Sequence, residues 1–162
     1  MKTILITGTS NGIGKETVEL FAKKGWKVAA TMRNPEHINL FAGNANIKTY
    51  LLNVKEPDNI KSCIEKVITD FGKIDAIVNN AGVYTISPLE LTNNETIENI
   101  IETNIKGVVY TTKAILEHFR ENKGGTIVNV SSIAGVQPFL FNRFIILQNG
   151  RLKDLQNVCV MN

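Results

Sequence analysis

Three glycines near the start of the chain, Gly8, Gly12 and Gly14, have the spacing that most directly implies chemistry. A turn that cradles phosphate needs glycine wherever backbone amides must come close to an anion. It also needs a helix N-terminus behind it, where unpaired N–H groups and the helix dipole attract negative charge. The segment Thr7-Gly8-Thr9-Ser10-Asn11-Gly12-Ile13-Gly14 supplies these glycines, and Ser10 and Asn11 can add side-chain bonds to phosphate. Gly14-Lys15 resembles the end of a Walker A loop, but Thr9 stands where its first glycine belongs and Glu16 where Ser or Thr belongs, which argues against phosphoryl transfer. The alternative is a glycine turn with a purely structural role.

The elements around this turn fit a ligand-binding role. Thr3 to Ile6 reads as a short buried strand, and from Gly12 the apolar residues Ile13, Leu20 and Phe21 follow a helical spacing that ends at Lys23-Lys24-Gly25. Lys27 to Met32 is a second strand; Asn34-Pro35 breaks it and starts a brief helix to about Phe41, and Ile47 to Leu52 is a third strand. Pro57 opens a helix whose Ile60, Cys63, Ile64, Val67, Ile68 and Phe71 share one face, closing at Gly72. Ala76 to Val78 makes a fourth strand, a long helix runs from about Glu95 to Arg120, and Thr126 to Val130 makes a fifth strand. Strands that alternate with helices demand parallel pairing, right-handed crossovers and helices on both faces, so the expected fold is α/β with a doubly wound parallel sheet of the Rossmann type.

Composition narrows the function classes. The chain has 162 residues, 43% hydrophobic and 20% charged, as in a packed globular protein. Its formal net charge is +3, with lysines and arginines interleaved among acids, so no basic stripe points to nucleic acid and a small-molecule partner is expected. Cys63 and Cys159 have neither zinc-type spacing nor a disulfide framework, which suits a reducing cytoplasm. The apolar run Ile4-Leu5-Ile6 is too short for a signal peptide, and no window approaches a transmembrane span.

With these landmarks in place, the sequence resembles the short-chain dehydrogenase/reductase family, whose TGxxxGIG turn is matched by Thr7 through Gly14. Asn79-Asn80-Ala81-Gly82 after the fourth strand is similar to the family's NNAG motif, which implies that Asn80, Ala81 and Gly82 pass the adenosine and ribose of a nicotinamide dinucleotide. Family members that prefer NAD hold the ribose 2′-hydroxyl with an acid at the end of the second strand, where this chain reads Thr31-Met32-Arg33. No carboxylate is available there, and a guanidinium at Arg33 can pair with a 2′-phosphate, so NADP is expected over NAD. The other reading of Arg33 is a solvated surface arginine. After the third strand, Asn53-Val54 replaces the Asp-Val with which the family contacts adenine, and asparagine can still donate and accept there. The implied cofactor contacts are therefore Gly8, Ser10, Asn11, Gly12, Ile13, Gly14, Arg33, Asn53, Val54, Asn80, Ala81 and Gly82.

Catalytic parts follow from the same resemblance. Asn104-Ile105-Lys106-Gly107 matches the NxxG context of the family's catalytic asparagine, said to hold a water that relays protons to an active-site lysine. Asn104 falls inside the apolar stripe Ile97, Ile100, Ile101, Ile105, Val108, Val109, Ile115, Leu116 and Phe119, where a buried amide needs partners, and a structural asparagine is the alternative. Val130-Ser131-Ser132-Ile133-Ala134-Gly135 resembles the strand end whose serine bonds the substrate carbonyl or alcohol, with Ser132 the better match. The implied reaction is hydride transfer between NADP(H) and a carbonyl or secondary alcohol.

The family's Tyr-x-x-x-Lys pair, which moves the matching proton, is not found. The tyrosines are Tyr50, Tyr84 and Tyr110, all upstream of Ser132, and the slots of the pair hold Ile145 and Asn149. From Pro138 onward no hydrophobic period is clear. Writing Phe144 to Asn157 as degenerate codons and regrouping each last base with the next two permits Tyr-x-x-Ala-Lys-Trp-Ala-Val-Glu-Gly-Leu-Thr-Glu, similar to the family's catalytic helix. One missing base upstream of Phe144 would return that tyrosine and lysine to the slots of Ile145 and Asn149. The expectation is a dinucleotide-binding domain over 1–138, then an aberrant, frameshifted tail over 139–162 with the family's later helices and strands missing. As written, the chain would be a catalytically inactive dinucleotide-binding fragment. The family's homo-oligomers form through the long helix and the helix after it, so assembly is possible but open here.

Overall fold

A computed structural model of the chain describes residues 1–132; the 139–162 tail, with Ile145 and Asn149, lies outside the described residues. The chain runs β1 (Thr3–Ile6), α1 (Gly12–Lys23), β2 (Lys27–Met32), a 3-10 turn (Pro35–His37), β3 (Ile47–Leu51), α2 (Pro57–Phe71) and β4 (Ala76–Asn79). A second 3-10 turn (Leu89–Leu91), α3 (Asn94–Ile101), a π-helical segment (Glu102–Lys106), α4 (Gly107–Glu121) and β5 (Thr126–Asn129) follow. All strand pairs are parallel, in the order β3-β2-β1-β4-β5, with Ile4 beside both Val28 and Ala76 at the centre. This is the expected doubly wound sheet. Because the chain leaves β1 for one flank and returns to the other at β4, a crevice opens at the C-terminal ends of these two strands.

Alternation along the strands feeds two cores. Leu5, Ala29 and Ile77 face α2 and α4, where Ile60, Cys63, Ile64, Val67, Ile115 and Phe119 pack, while Ile4, Ile6, Val28, Ala30 and Val78 face Val18 and Ala22 of α1. A strand buried on both faces needs no polar alternation, and β1 and β4 are accordingly buried at every position. Among the described residues no helix is long and apolar enough to cross a membrane.

Several sequence expectations shift. In α1 the buried stripe is Gly14, Val18 and Ala22, whereas Ile13 and Leu20 are 67% and 51% exposed. Close approach to the sheet selects small residues, so the larger apolar side chains fall outside the contact. The helix expected over 34–41 contracts to the Pro35–His37 turn, capped by the Asn34 side chain accepting from the Glu36 amide. Val109, placed in the apolar stripe of the long helix, is 41% exposed; Gly107, Val108, Thr111, Ile115 and Phe119 are the buried residues of α4. That helix is also not uniform. The five-residue π segment rotates the face of α4 relative to α3, which a fixed 3.6 period cannot register.

Candidate active site

The phosphate-type turn is shaped by two different constraints on its glycines. Gly8 and Gly12 take φ of +69° and +54°, conformations that side chains resist. At Gly14 the constraint is space: a Cβ there would lie 2.3 Å from the Gly8 carbonyl oxygen and 2.5 Å from Asn80 Nδ2. Gly8 is equally confined, since its Cβ would come within 2.7 Å of Ala81 Cα. The turn after β1 is thus pressed directly onto the loop after β4.

Hydrogen bonds lock that contact. Asn80 Nδ2 donates to the carbonyls of Thr7 and Gly8, both at 2.9 Å. The Thr7 hydroxyl accepts from the Asn80 and Ala81 amides at 3.0 Å each and donates to the Val78 carbonyl at 3.3 Å. One proton and two lone pairs are all used. On the β2 side, Thr9 donates to the Thr31 carbonyl through both its amide and its hydroxyl, and the Thr31 hydroxyl donates to the Ile6 carbonyl. Thr7, Thr9 and Thr31 are buried; Thr7 and Thr9 lie within the matched glycine-turn motif, but the motif names no bonding role for them and Thr31 is outside it. The available signal was a hydroxyl residue at the end of two apolar strands, where main-chain groups leave the ladder and need new partners.

These contacts hold open a cavity of about 500 Å³ at the C-terminal edge of the sheet. It is lined after β1 by Gly8 and Ser10 through Gly14, after β2 by Met32 and Arg33, and after β3 by Leu52, Asn53 and Val54. Asn80 through Tyr84, Thr103 and Val130 complete the wall. All twelve residues expected to contact a cofactor therefore surround one space. The first turn of α1 carries no acidic residue, and the Asn11 side chain does not cap it. The first N–H groups of a helix have no acceptor within it, so this end presents uncancelled positive potential to the cavity. Among the described residues, Arg33 is the single charged one lining it.

Asn53 has less freedom than its sequence position implies. Its Oδ1 accepts from the Lys55 amide and its Nδ2 donates to Glu56, so much of the side chain is spent closing the turn into α2. Lys55 in turn reaches Glu102 at 2.9 Å and Asn99 at 3.2 Å, fastening the loop after β3 to the long helix. Bonding and attraction to Lys55 hold the Glu102 carboxyl below its ordinary range. Gly107 permits the rest of that contact: a Cβ would meet Val54 Cγ2 at 2.9 Å.

The two catalytic candidates stand outside the lining. Asn104 lies in the π segment, where its Oδ1 accepts from the Val83 amide at 2.9 Å and its Nδ2 donates to the Val83 carbonyl at 2.8 Å. The amide expected to need partners on a buried face therefore pins the loop after β4. Ser131 and Ser132 are exposed, one and two residues past the lining residue Val130. Among the described residues no cluster of three His, Cys, Asp or Glu could hold a metal ion.

A doubly wound sheet with a glycine turn at its switch point defines the dinucleotide-binding class of α/β proteins. The sequence model of the family described as short chain dehydrogenase matches residues 2–143, and the chain belongs to this oxidoreductase family. A 3-oxoacyl-[acyl-carrier-protein] reductase of Thermotoga maritima is 37% identical over 140 residues, covering 83% of this chain and 57% of the relative. An uncharacterized oxidoreductase of Staphylococcus saprophyticus is 38% identical over 137 residues, 83% of this chain and 56% of its own length. The chain thus spans just over half the length of these curated relatives. Among solved structures, ElxO with NADP bound superposes with a TM-score of 0.88 at 32% identity, covering 95% of this chain and 64% of ElxO. The 3-ketoacyl-(acyl-carrier-protein) reductase of Brucella melitensis, complexed with NADH, gives 0.92 at 27% identity, covering 97% and 68%.

Proposed function

We propose that the cavity binds NADP(H) in preference to NAD(H), and that the chain carries the cofactor half of an enzyme moving hydride between NADP(H) and a carbonyl or secondary alcohol. The observation that carries this reading is the charge of the wall: among the described residues, Arg33 at the end of β2 is its one ionic group, and no carboxylate lines it. A carboxylate there would accept from a 2′-hydroxyl and repel a 2′-phosphate; a guanidinium does the reverse. The uncapped N-terminus of α1 and the turn from Gly8 to Gly14 suit a pyrophosphate. Bound there, the dinucleotide would supply the hydride. Asn104 holds the Val83 segment of the wall, and Ser132, just past β5, would bond the reacting oxygen of a substrate.

A second reading is favoured by Ile145 and Asn149, which stand in the slots of the family's proton-transferring pair. On it, the chain as written binds dinucleotide but does not catalyse, because removing a general acid/base alone costs roughly 10²–10⁴-fold in rate. NADPH oxidation with a panel of aldehydes and ketones, for this chain and for a frame-restored version, separates the two. Activity in the restored protein alone supports the inactive fragment, and activity in the chain as written overturns it.

Cofactor preference is tested by titrating the chain with NADPH and NADH by calorimetry. NADPH should bind more tightly, and Arg33→Ala should weaken NADPH about 10–100-fold, from the ~1.5–3 kcal/mol of a charge-assisted bond, while leaving NADH within about twofold. Equal or tighter NADH binding by the unsubstituted chain refutes the preference.

A further inference from the structure

The end of the sheet opposite the cavity gathers charge that the sequence disperses. Because every strand pair is parallel, all five strands start at that end, and α1, α2 and α4, which lead back to them, finish there. Lys2 precedes β1, Lys23 and Lys24 close α1, Lys27 opens β2, and Lys73 and Lys123 stand shortly before β4 and β5. All are exposed except Lys27, which is half-buried. A cation at a helix C-terminus answers the helix dipole, which accounts for Lys23 and Lys24. Lys2, Lys27, Lys73 and Lys123 lie outside any helix, so they need another account.

The acids at this end cancel little of that charge. Asp75 accepts from the Thr3 amide at 2.7 Å and pairs with Lys73 at 2.7 Å. Asp70, near the end of α2, accepts from the Tyr50 hydroxyl at 2.8 Å and pairs with Lys48 at 3.4 Å. Glu121, which ends α4, offsets one more charge. Among the described residues, no acid forms an ion pair with Lys2, Lys23, Lys24, Lys27 or Lys123. Lys2 instead lies over the Trp26 ring, 5.5 Å from its centroid, and Lys27 and Lys48 lie over that of Phe71 at 5.6 and 5.4 Å. At the cavity end the sign reverses, with exposed Glu36, Glu56, Asp58 and Glu95 at or just before helix starts.

We propose that the end where the strands start is a docking surface for an anionic lipid bilayer, on which the chain sits peripherally with its cavity facing away. Each lysine near such a surface adds its own attraction, and a compact ammonium suits a diffuse field, where a guanidinium suits bidentate capture of single phosphates. Half-buried Trp26 and Phe71 place aromatic rings among these cations, as suits a headgroup layer. The same surface repels the acidic cavity end, which fixes the orientation and leaves the cofactor site open. Nucleic acid fits less well. The rings of Trp26 and Phe71 are covered by lysines and offer no stacking platform, and α1, α2 and α4 end here rather than presenting a side to a groove.

Co-sedimentation of the full chain with vesicles tests this, using equal parts phosphatidylglycerol and phosphatidylcholine against phosphatidylcholine alone. Binding should require phosphatidylglycerol and fall at least about tenfold between ~0.1 and ~0.5 M salt. Trp26 is the chain's single tryptophan, so a nitroxide on the lipid headgroup should quench its emission. Lys23→Gln with Lys24→Gln should weaken binding about 10–30-fold, whereas Lys61→Gln with Lys113→Gln, the same change in net charge elsewhere, should stay within about threefold. These four lysines are exposed and outside ion pairs with described residues, so both double variants should melt with the parent. Sedimentation no greater with phosphatidylglycerol than without it, equal losses in the two double variants, or binding that leaves Trp26 unquenched overturns the inference. So does release from the vesicles by duplex DNA at equal phosphate concentration, which would assign this end to nucleic acid.

Discussion

Gly14→Ala tests whether the join between the glycine turn and the loop after β4 is as tight as the geometry requires. The new Cβ would lie 2.3 Å from the Gly8 carbonyl oxygen and 2.5 Å from Asn80 Nδ2, whereas real contacts to a methyl are longer by most of an ångström. Neither neighbour can give cheaply. Gly8 is backbone, and Asn80 Nδ2 is held by two 2.9 Å bonds to Thr7 and Gly8 carbonyls. Swinging Asn80 away forfeits those bonds, about 1–3 kcal/mol together, and moving α1 off the sheet strains the Gly14, Val18 and Ala22 stripe by about 1–3 kcal/mol more. The sum, about 2–6 kcal/mol, corresponds to a fall of roughly 4–24 °C in melting temperature. Gly12→Ala is the control within the same turn. Its Cβ meets nothing within 4 Å, so only the φ of +54° is penalised, by about 1 kcal/mol. Thermal melts followed by circular dichroism, with NADPH titrations, should rank Gly14→Ala well below Gly12→Ala in both stability and affinity. Equal melting temperatures for the two variants would refute the claim that close approach, rather than backbone conformation, dictates Gly14.

Asn104→Asp keeps the acceptor for the Val83 amide but sets an oxygen against the Val83 carbonyl, so it should cost about 1–3 kcal/mol in urea unfolding. It should also weaken dinucleotide binding, because Val83 lines the cavity; a variant as stable as the parent would show that the paired bonds carry no load. Alkaline pH should destabilise the fold through Cys63, whose thiol is pushed by burial from its ordinary 9 up to about 12, despite the opposing influence of Lys66. The folded value lies above the unfolded one, so this contribution is complete below about pH 9 and drains away as pH rises toward 12. Burial, and then its bond to Asp70, raise Tyr50 in the same sense. Urea midpoints measured from pH 8 to about 11 should fall less steeply in Cys63→Ala than in the parent, and parallel slopes would contradict this assignment.

Much of the architecture was legible without coordinates. The alternation of apolar runs with amphipathic stretches located all five strands and α1, α2 and the long helix, since burial on two faces imposes continuous apolar strands and one-sided helices. The glycine turn, the asparagine pair after β4 and the unacidic end of β2 marked the cavity because each is a local departure with few structural substitutes. Tertiary contact decided the rest. Which apolar residues of α1 are buried depended on how closely the helix approaches Gly8 and Asn80, so Gly14 and Ala22 went in while Ile13 and Leu20 stayed out. The register of the long helix changed at the π segment, a backbone event that leaves no period in the sequence. Partner choice was equally invisible: Thr7 and Thr103 are both buried threonines beside a motif, yet the first has every lone pair engaged and the second has none. Residue type sets what a side chain can bond, but only the packed neighbours determine what it does bond.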